Sequence, residues 1–428
     1  MGRRRQPVGR GGPQRPSDRR TRHGKRVVAV TDVGGGPDRG PLVVKFGGSA
    51  FADLGGYTRV ARYTARRIAE EQRPVVVVVS AMSGTTGRLQ QTLDVVADTP
   101  PPQVCAMLLT SGETVSVALL TAALDAAGVP ALPLSAAGTG LLGEGPADRA
   151  RLIRADPEVP LSALADHPVV VVPGGQAVDA DGGTVMLGRN SSDLSAAAMA
   201  AALGAGTCVL FSDVPGVCTA DPYLVPAART LPEISYEGVR RMSRHGAKVV
   251  HESAVDWAER GDVRLHCRPF PWTASDGAGT VVGQGTEAAA VVAHKSSDVW
   301  RFRSGRERRA AARGLLAEGL RGTEFDSASG TYLVVPGAVR GAAHHLLAAR
   351  RHDDLCLITS LRADGRAEHV LVSRADADAE ARRCHALLYP DPVTVAGPAA
   401  PARAKRRSPH SDVLSGPPPV PVPGDGAR

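Results

Sequence analysis

A chain of 428 residues, 43% of them hydrophobic, is long enough for two or three domains with substantial cores. No stretch reaches the about 20 consecutive apolar residues of a membrane span, and the N-terminus offers arginines rather than an apolar signal region, so neither a membrane nor a secreted protein is expected. The net charge of +8 is local: residues 1–26 hold ten Lys/Arg against one Asp, leaving the remainder near −1, so no specific nucleic-acid partner is expected of the folded body.

In chain order, residues 1–40 read as a basic, disordered tail ending in Gly34-Gly35-Gly36-Pro37. Leu42–Val44 is a short apolar strand, Tyr57–Glu71 an amphipathic helix and Val75–Val79 an apolar strand. Val104–Ala127 reads as helical, Ala131–Leu134 as a strand and Arg149–Arg154 as the start of another helix. Val169–Val172 is a strand, Ser192–Leu203 an Ala-rich helix and Cys208–Phe211 a further strand. This alternation predicts an α/β domain over residues 41–290, an αβα sandwich with a mainly parallel sheet and ligands at the strands' C-terminal ends.

Beyond residue 290 the pattern changes to strand Val299–Arg303, helix Arg306–Leu320, strands Thr323–Phe325 and Thr331–Val335, helix Val339–Arg351 and strand Leu355–Ser360. That order is the ferredoxin-like split βαβ. A second, incomplete round follows, with strand His369–Val372, helix Ala375–Leu388 and strand Val393–Val395. Residues 296–396 thus form an α+β region, and the Pro- and Gly-rich residues 397–428 a disordered tail. The six cysteines (Cys105, Cys208, Cys218, Cys267, Cys356, Cys384) are scattered without C-x-x-C spacing, as in a reduced, cytoplasmic protein with isolated thiols.

Four segments carry chemistry. Lys45-Phe46-Gly47-Gly48-Ser49 ends a strand in two glycines, which lets backbone N–H groups approach a polyphosphate while Lys45 supplies charge; no Walker A motif exists. Val79–Thr86 is a small-residue loop able to cradle an anion, or simply a Ser/Thr-rich turn. Ser111-Gly112-Glu113 and Leu187–Asp193 pair a carboxylate with a guanidinium, suited to an amino acid's ammonium and carboxylate, while Asp193 also fits the first turn of a helix. Phe211–Pro222, followed by His245-Gly246-Ala247-Lys248, could frame a nucleotide; the plainer readings are an Asx-turn at Asp213 and a surface lysine.

In order and spacing these segments resemble the aspartate kinases of the amino-acid-kinase family, over Leu42 to Val282. The runs Met107–Glu113, Asp221–Ala228, Glu233–Glu237 and Gly246–His251 carry the likeness most clearly. The resemblance implies ATP-dependent phosphorylation of the side-chain carboxylate of L-aspartate to 4-phospho-L-aspartate. The alternatives are a kinase for another small carboxylic acid, or a catalytically weakened ligand-binding homologue. It implies that Lys45 contacts the transferred phosphoryl, oriented by Asp193, with Phe46, Gly47 and Gly48 along the phosphates. Ser49, Glu113, Arg189 and Ser192 would hold the amino acid. Ser212, Asp213, Cys218, Asp221, Tyr223, Ala247 and Lys248 would surround the nucleotide, with Mg²⁺ held mainly by the ATP phosphates and no protein metal site. The C-terminal region is similar to ACT regulatory domains in strand order, through which family members pair, so a homodimer is expected.

The sequence departs from the family pattern at a few positions. Asn190-Ser191 replaces a glycine pair, Cys218 an aromatic that would pack the nucleoside, and Tyr223 an arginine that would meet phosphate. Two further signals are set aside. Gly138–Gly143 matches G-x-G-x-x-G but is followed by Glu144-Gly145-Pro146, so a flexible loop is favoured over a dinucleotide site. His344-His345 falls inside an expected helix with no acidic partner at ligand spacing, so no metal site is expected there.

Overall fold

Valine-rich runs form the middle of the largest sheet. Leu42–Phe46, Val75–Val79 and Val169–Pro173 are covered on both faces, so they read as continuous apolar runs, and Lys45 is their single half-buried position. The computed structural model describes residues 40–188, 190–271, 279–336 and 343–390. Within them the eight-stranded sheet runs Glu233–Ser235, Thr280–Gly283, Arg264–Pro269, Thr207–Ser212, Leu42–Phe46, Val75–Val79, Val169–Pro173, Ala131–Pro133. All neighbours are parallel except Arg264–Pro269 with Thr280–Gly283. Phe46 lies opposite both Val79 and Phe211, and Val79 opposite Pro173, so four parallel strands end level with one another. Gly47, Ser80, Gly174 and Ser212 therefore line one edge, the place where a parallel sheet presents ligands.

Helices cover both faces. Gly55–Glu71 and Ser111–Ala126 bury Val60, Ala61, Leu120 and Leu124 against Val44, Val77 and Val171. On the other face Ser192–Ala202 is buried nearly all round, because its alanines let it fit between the sheet and the helix Glu252–Arg260. Pro102–Ala126 is long and apolar enough by length and composition to cross a bilayer. It is two helices that meet at Thr110, however, and Val117, Leu120 and Leu124 belong to the sheet's core. All six cysteines are free thiols.

Two expectations fail in the next stretch. Arg149–Arg154 is not helical: Arg151–Ala155 is a strand that pairs with Leu141–Glu144 across a β-bulge. Only Leu152 of that strand is buried, which is too little apolar surface to hold a helix against the body. The G-x-G-x-x-G run is not a loose loop either; a 3-10 turn at Ala137–Thr139 leads straight into Leu141–Glu144. With Gln176–Val178 and Thr184–Met186 these strands make a second, four-stranded sheet.

The C-terminal region holds two antiparallel sheets. The first runs Thr323–Ser327, Gly330–Pro336, Ser297–Phe302, Arg350–His352, with helix Gly305–Ala317 packing Ala311 and Leu315 onto Phe302 and Leu333. The second runs Ala290–Ala293, Leu355–Leu361, Ala367–Ser373, covered by helix Ala377–Leu388. Leu355–Leu361 thus does not close the first ferredoxin-like unit; Arg350–His352 does, and the first unit is inserted between two paired strands of the second. Part of the expected helix Val339–Arg351 lies outside the described residues; from residue 343 on it is corrected to a 3-10 turn, Ala343–Leu346, followed by that strand. Leu346 is buried but Leu347 is 84% exposed, so the described residues of this segment offer no apolar face to sustain a helix. The expected strand Val393–Val395 lies outside the described residues.

Candidate active site

Lys45 is the last but one residue of its strand and points to the face covered by the Ala-rich helix. There its Nζ meets Asp193 Oδ1 at 2.7 Å, both side chains being largely shielded from water. Asp193 occupies the first turn of Ser192–Ala202, where a carboxylate complements the helix dipole, so one residue both steadies the helix and fixes the lysine. Gly47 follows at the strand end, its N–H donating to the Phe211 carbonyl at 3.1 Å. A Cβ on Gly47 would lie 3.2 Å from that oxygen and 3.4 Å from Lys45 Nζ, so any side chain would crowd the ammonium. Ser49 is exposed just beyond, in the 3-10 turn Gly48–Phe51. Phe46 differs from expectation: its ring stacks on Phe211 in the core, and only its backbone is left for a ligand.

The neighbouring strand end supplies the other wall. Ser80 Oγ donates to Ser192 Oγ at 3.0 Å, and the Ala81 N–H donates to Glu113 Oε1 at 3.2 Å. Burial pushes the Glu113 carboxyl up to about 7, while the Ala81 N–H and the Gln176 side chain pull the other way. Gln176 Nε2 itself donates to the Thr110 carbonyl at 2.7 Å and so fixes the helix start that carries Glu113. Arg189 lies outside the described residues. Next to it, Asn190 has φ 59°, a left-handed conformation that asparagine tolerates better than most residues. Ser191 turns its hydroxyl inward to the Gly188 carbonyl at 2.7 Å, so the replaced glycine pair adds no obstruction on that side.

His251 escaped the sequence reading of roles. It precedes the helix Glu252–Arg260, its Nδ1 is buried without a hydrogen-bond partner, and it lies in the field of Asp193. Burial lowers its pKa, and the Asp193, Glu252 and Asp256 charges oppose that shift. Only the final position of the Gly246–His251 run hinted at it.

The expected nucleotide residues form a second group. Ser212 ends the strand beside Leu42–Phe46, its hydroxyl within 3.4 Å of the Val214 N–H and carbonyl, and Asp213 is exposed. Tyr223 is also exposed, and its hydroxyl donates to Asp213 Oδ2 at 3.3 Å. Asp221 Oδ1 accepts from the Tyr223 N–H at 2.9 Å, an Asx-turn. Cys218 departs from expectation: it is 6% exposed, with Sγ turned to the Gly216 carbonyl and Thr230 rather than toward a ligand. Ala247 is half-buried and Lys248 exposed, and a Cβ on the intervening turn's Gly246 would approach His294 of the C-terminal region to 3.0 Å.

That contact is one of several by which the C-terminal region backs this group. Thr219, fully buried, accepts from the Arg229 N–H through Oγ1, accepts the Val291 N–H through its carbonyl, and shares a 2.8 Å hydrogen bond with His385 Nε2. Ala220 and Val225 lie in one apolar cluster with Val291, Ile358 and Ala381, and Arg382 donates to the Leu224 carbonyl at 3.2 Å.

Residues 40–269 match the family model of the amino acid kinase family. The aspartokinase of Mycolicibacterium smegmatis is 40% identical over 245 residues, covering 56% of this chain and 56% of that protein. That of Thermus thermophilus is 39% identical over 227 residues, covering 53% and 56%. This chain spans about half the length of the curated relatives it matches. Among solved structures, E. coli aspartokinase III in complex with aspartate and ADP (R-state) superposes with a TM-score of 0.63 at 20% identity, over 82% of this chain and 100% of that one. The likeness in fold therefore extends past the catalytic-type sheet into the C-terminal antiparallel sheets, which have the ACT-like arrangement.

Proposed function

The chain belongs to the amino acid kinase family, and from that premise we propose that it transfers the γ-phosphoryl group of ATP to the side-chain carboxylate of L-aspartate. The observation that carries this reading is the Lys45–Asp193 pair, held at 2.7 Å where the strands end, beside Gly47. An oxygen of the aspartate carboxylate forms a bond to the γ-phosphorus as the bond to the β–γ bridging oxygen breaks, giving 4-phospho-L-aspartate and ADP. The attacking carboxylate is already ionised at neutral pH, so the chain must supply position and positive charge rather than a general base. Lys45 meets the charge on the transferred group, and Asp193 prevents the ammonium from swinging away. Glu113 takes the substrate ammonium, Ser49 and Ser192 border the acid, and Arg189 takes its α-carboxylate. Ser212, Asp213, Cys218, Asp221, Tyr223, Ala247 and Lys248 line or support the nucleotide side, Cys218 through packing alone. Mg²⁺, held by the ATP phosphates, supplies charge neutralisation when bound.

On the same reading residues 41–290 are the catalytic unit and residues 296–396 a regulatory, pairing unit of a cytoplasmic homodimer. The relatives named as aspartokinases and the E. coli enzyme whose structure holds aspartate and ADP support the choice of aspartate and ATP. With Mg-ATP, hydroxylamine and a panel of amino acids, the purified chain should yield the aspartyl hydroxamate. Product with another acid alone, or with none, would overturn the assignment.

A further inference from the structure

The Glu318, His344 and His345 side chains converge, although 26 residues of sequence separate the acid from the histidines. All three offer ligand atoms within 4.8 Å of one another. His345 Nε2 is 3.2 Å and His344 Nε2 3.6 Å from the same oxygen, Glu318 Oε1. Ligands at the usual 2.0–2.1 Å from a tetrahedral zinc are spaced about 3.3 Å apart, so these separations are those of ligand edges around a cation. His345 Nε2 and Glu318 Oε1 are also within hydrogen-bond distance of each other, a contact that a bound cation would replace.

Three features of the surroundings fit a cation. Glu318 caps the C-terminus of helix Gly305–Ala317, where a carboxylate opposes the helix dipole and a bound cation is favoured. Glu318 Oε2 is held by Arg149 Nη2 at 2.9 Å, which aims Oε1 at the two imidazoles; Asp148 in turn meets Arg149 Nη1 through both its oxygens at 3.1 Å, offsetting the guanidinium charge. Gly314 occupies the last turns of the same helix, where glycine costs stability relative to alanine. A Cβ there would fall 2.3 Å from His345 Nδ1, so the glycine makes the room in which that ring lies beside Glu318.

We propose that Glu318, His344 and His345 form a binding site for a zinc-class divalent transition-metal cation, separate from the acid and nucleotide site. Two imidazole nitrogens with one carboxylate suit zinc and its neighbours over the oxygen-seeking Mg²⁺ or Ca²⁺. Three protein ligands leave a coordination position for water, and His344, 57% exposed, leaves the way in open. The cation ties the turn Ala343–Leu346 to the end of helix Gly305–Ala317, and through Arg149 to the catalytic-type unit.

The test uses the full chain, freed of metal by chelation and titrated with Co²⁺ followed by visible absorption. The expected result is one tightly bound Co²⁺ with the intense bands of a tetrahedral site, displaced by Zn²⁺ and not by excess Mg²⁺. His344→Ala, at an exposed position that leaves the fold intact, and Glu318→Gln should each weaken binding about tenfold or more and abolish the rise in melting temperature that Zn²⁺ gives the parent chain. Absence of the bands would overturn the proposal. So would equal binding by the parent chain and both variants, which would place the metal elsewhere among the twelve histidines.

Discussion

Burial lifts the Glu113 carboxyl from its ordinary value to about 7, against the pull of the Ala81 N–H. A folded-state value above the unfolded one means that the folded chain holds this proton more tightly. Ionising Glu113 therefore destabilises the free protein progressively as pH rises from about 4.5 towards 7, and a bound ammonium offsets that cost. The KM for the amino acid should consequently fall as pH rises through about 7, and become independent of pH over that range in Glu113→Gln. A parent profile that is flat from pH 6 to 8 would dissociate Glu113 from ammonium binding. Cys218 gives the opposite lesson. Its Sγ is enclosed by Gly216 and Thr230, so restoring an aromatic there overpacks a closed space instead of extending a nucleoside platform. Cys218→Tyr should lower stability by about 1–3 kcal/mol in denaturant unfolding without tightening nucleotide binding.

At the scale of elements, the parallel strands and their helices were legible because burial on both faces leaves long, uniform apolar runs. Leu42–Phe46, Val75–Val79 and Val169–Pro173 are almost where the runs put them. The short amphipathic segments were not. Arg151–Ala155 carries one buried leucine, and the described residues around His344 bury Leu346 alone, so their conformation follows from the partner that each segment found. Arg151–Ala155 found the edge of Leu141–Glu144, and Ala343–Leu346 found Leu315 and Phe302. The same dependence explains why the acidic partner of His344 and His345 was invisible at ligand spacing: it stands at the end of a different element.

The whole molecule couples two units more closely than their separate patterns suggest. The loop that carries Cys218, Asp221 and Tyr223 has its apolar underside in a core shared with Ile358 and Ala381, and Thr219 is held by His385 from the last described helix. His385→Ala removes a buried partner and leaves the Thr219 hydroxyl short of one bond, a loss of about 1–3 kcal/mol. If part of that loss appears as loop disorder, the Kd for ADP should rise about tenfold, while the KM for the amino acid changes little. His385→Gln, whose amide reaches the place of Nε2, should restore most of the affinity. Calorimetry on the three proteins decides this, and equal ADP affinity in all of them would mean that the contact does not position the loop.

Local chemistry along the chain determined the sheet, the glycine-flanked Lys45 and the carboxylate at Glu113, because uniform burial and strand-end glycines leave marks within a few residues. Tertiary structure alone decided which side chains meet. It brought Asp193 to Lys45 across 148 residues, turned Cys218 and the ring of Phe46 away from the ligand side, placed His251 in the field of Asp193, and threaded one antiparallel unit through the other. Those outcomes depend on packing between elements distant in sequence, and no local pattern encodes the partner across the gap.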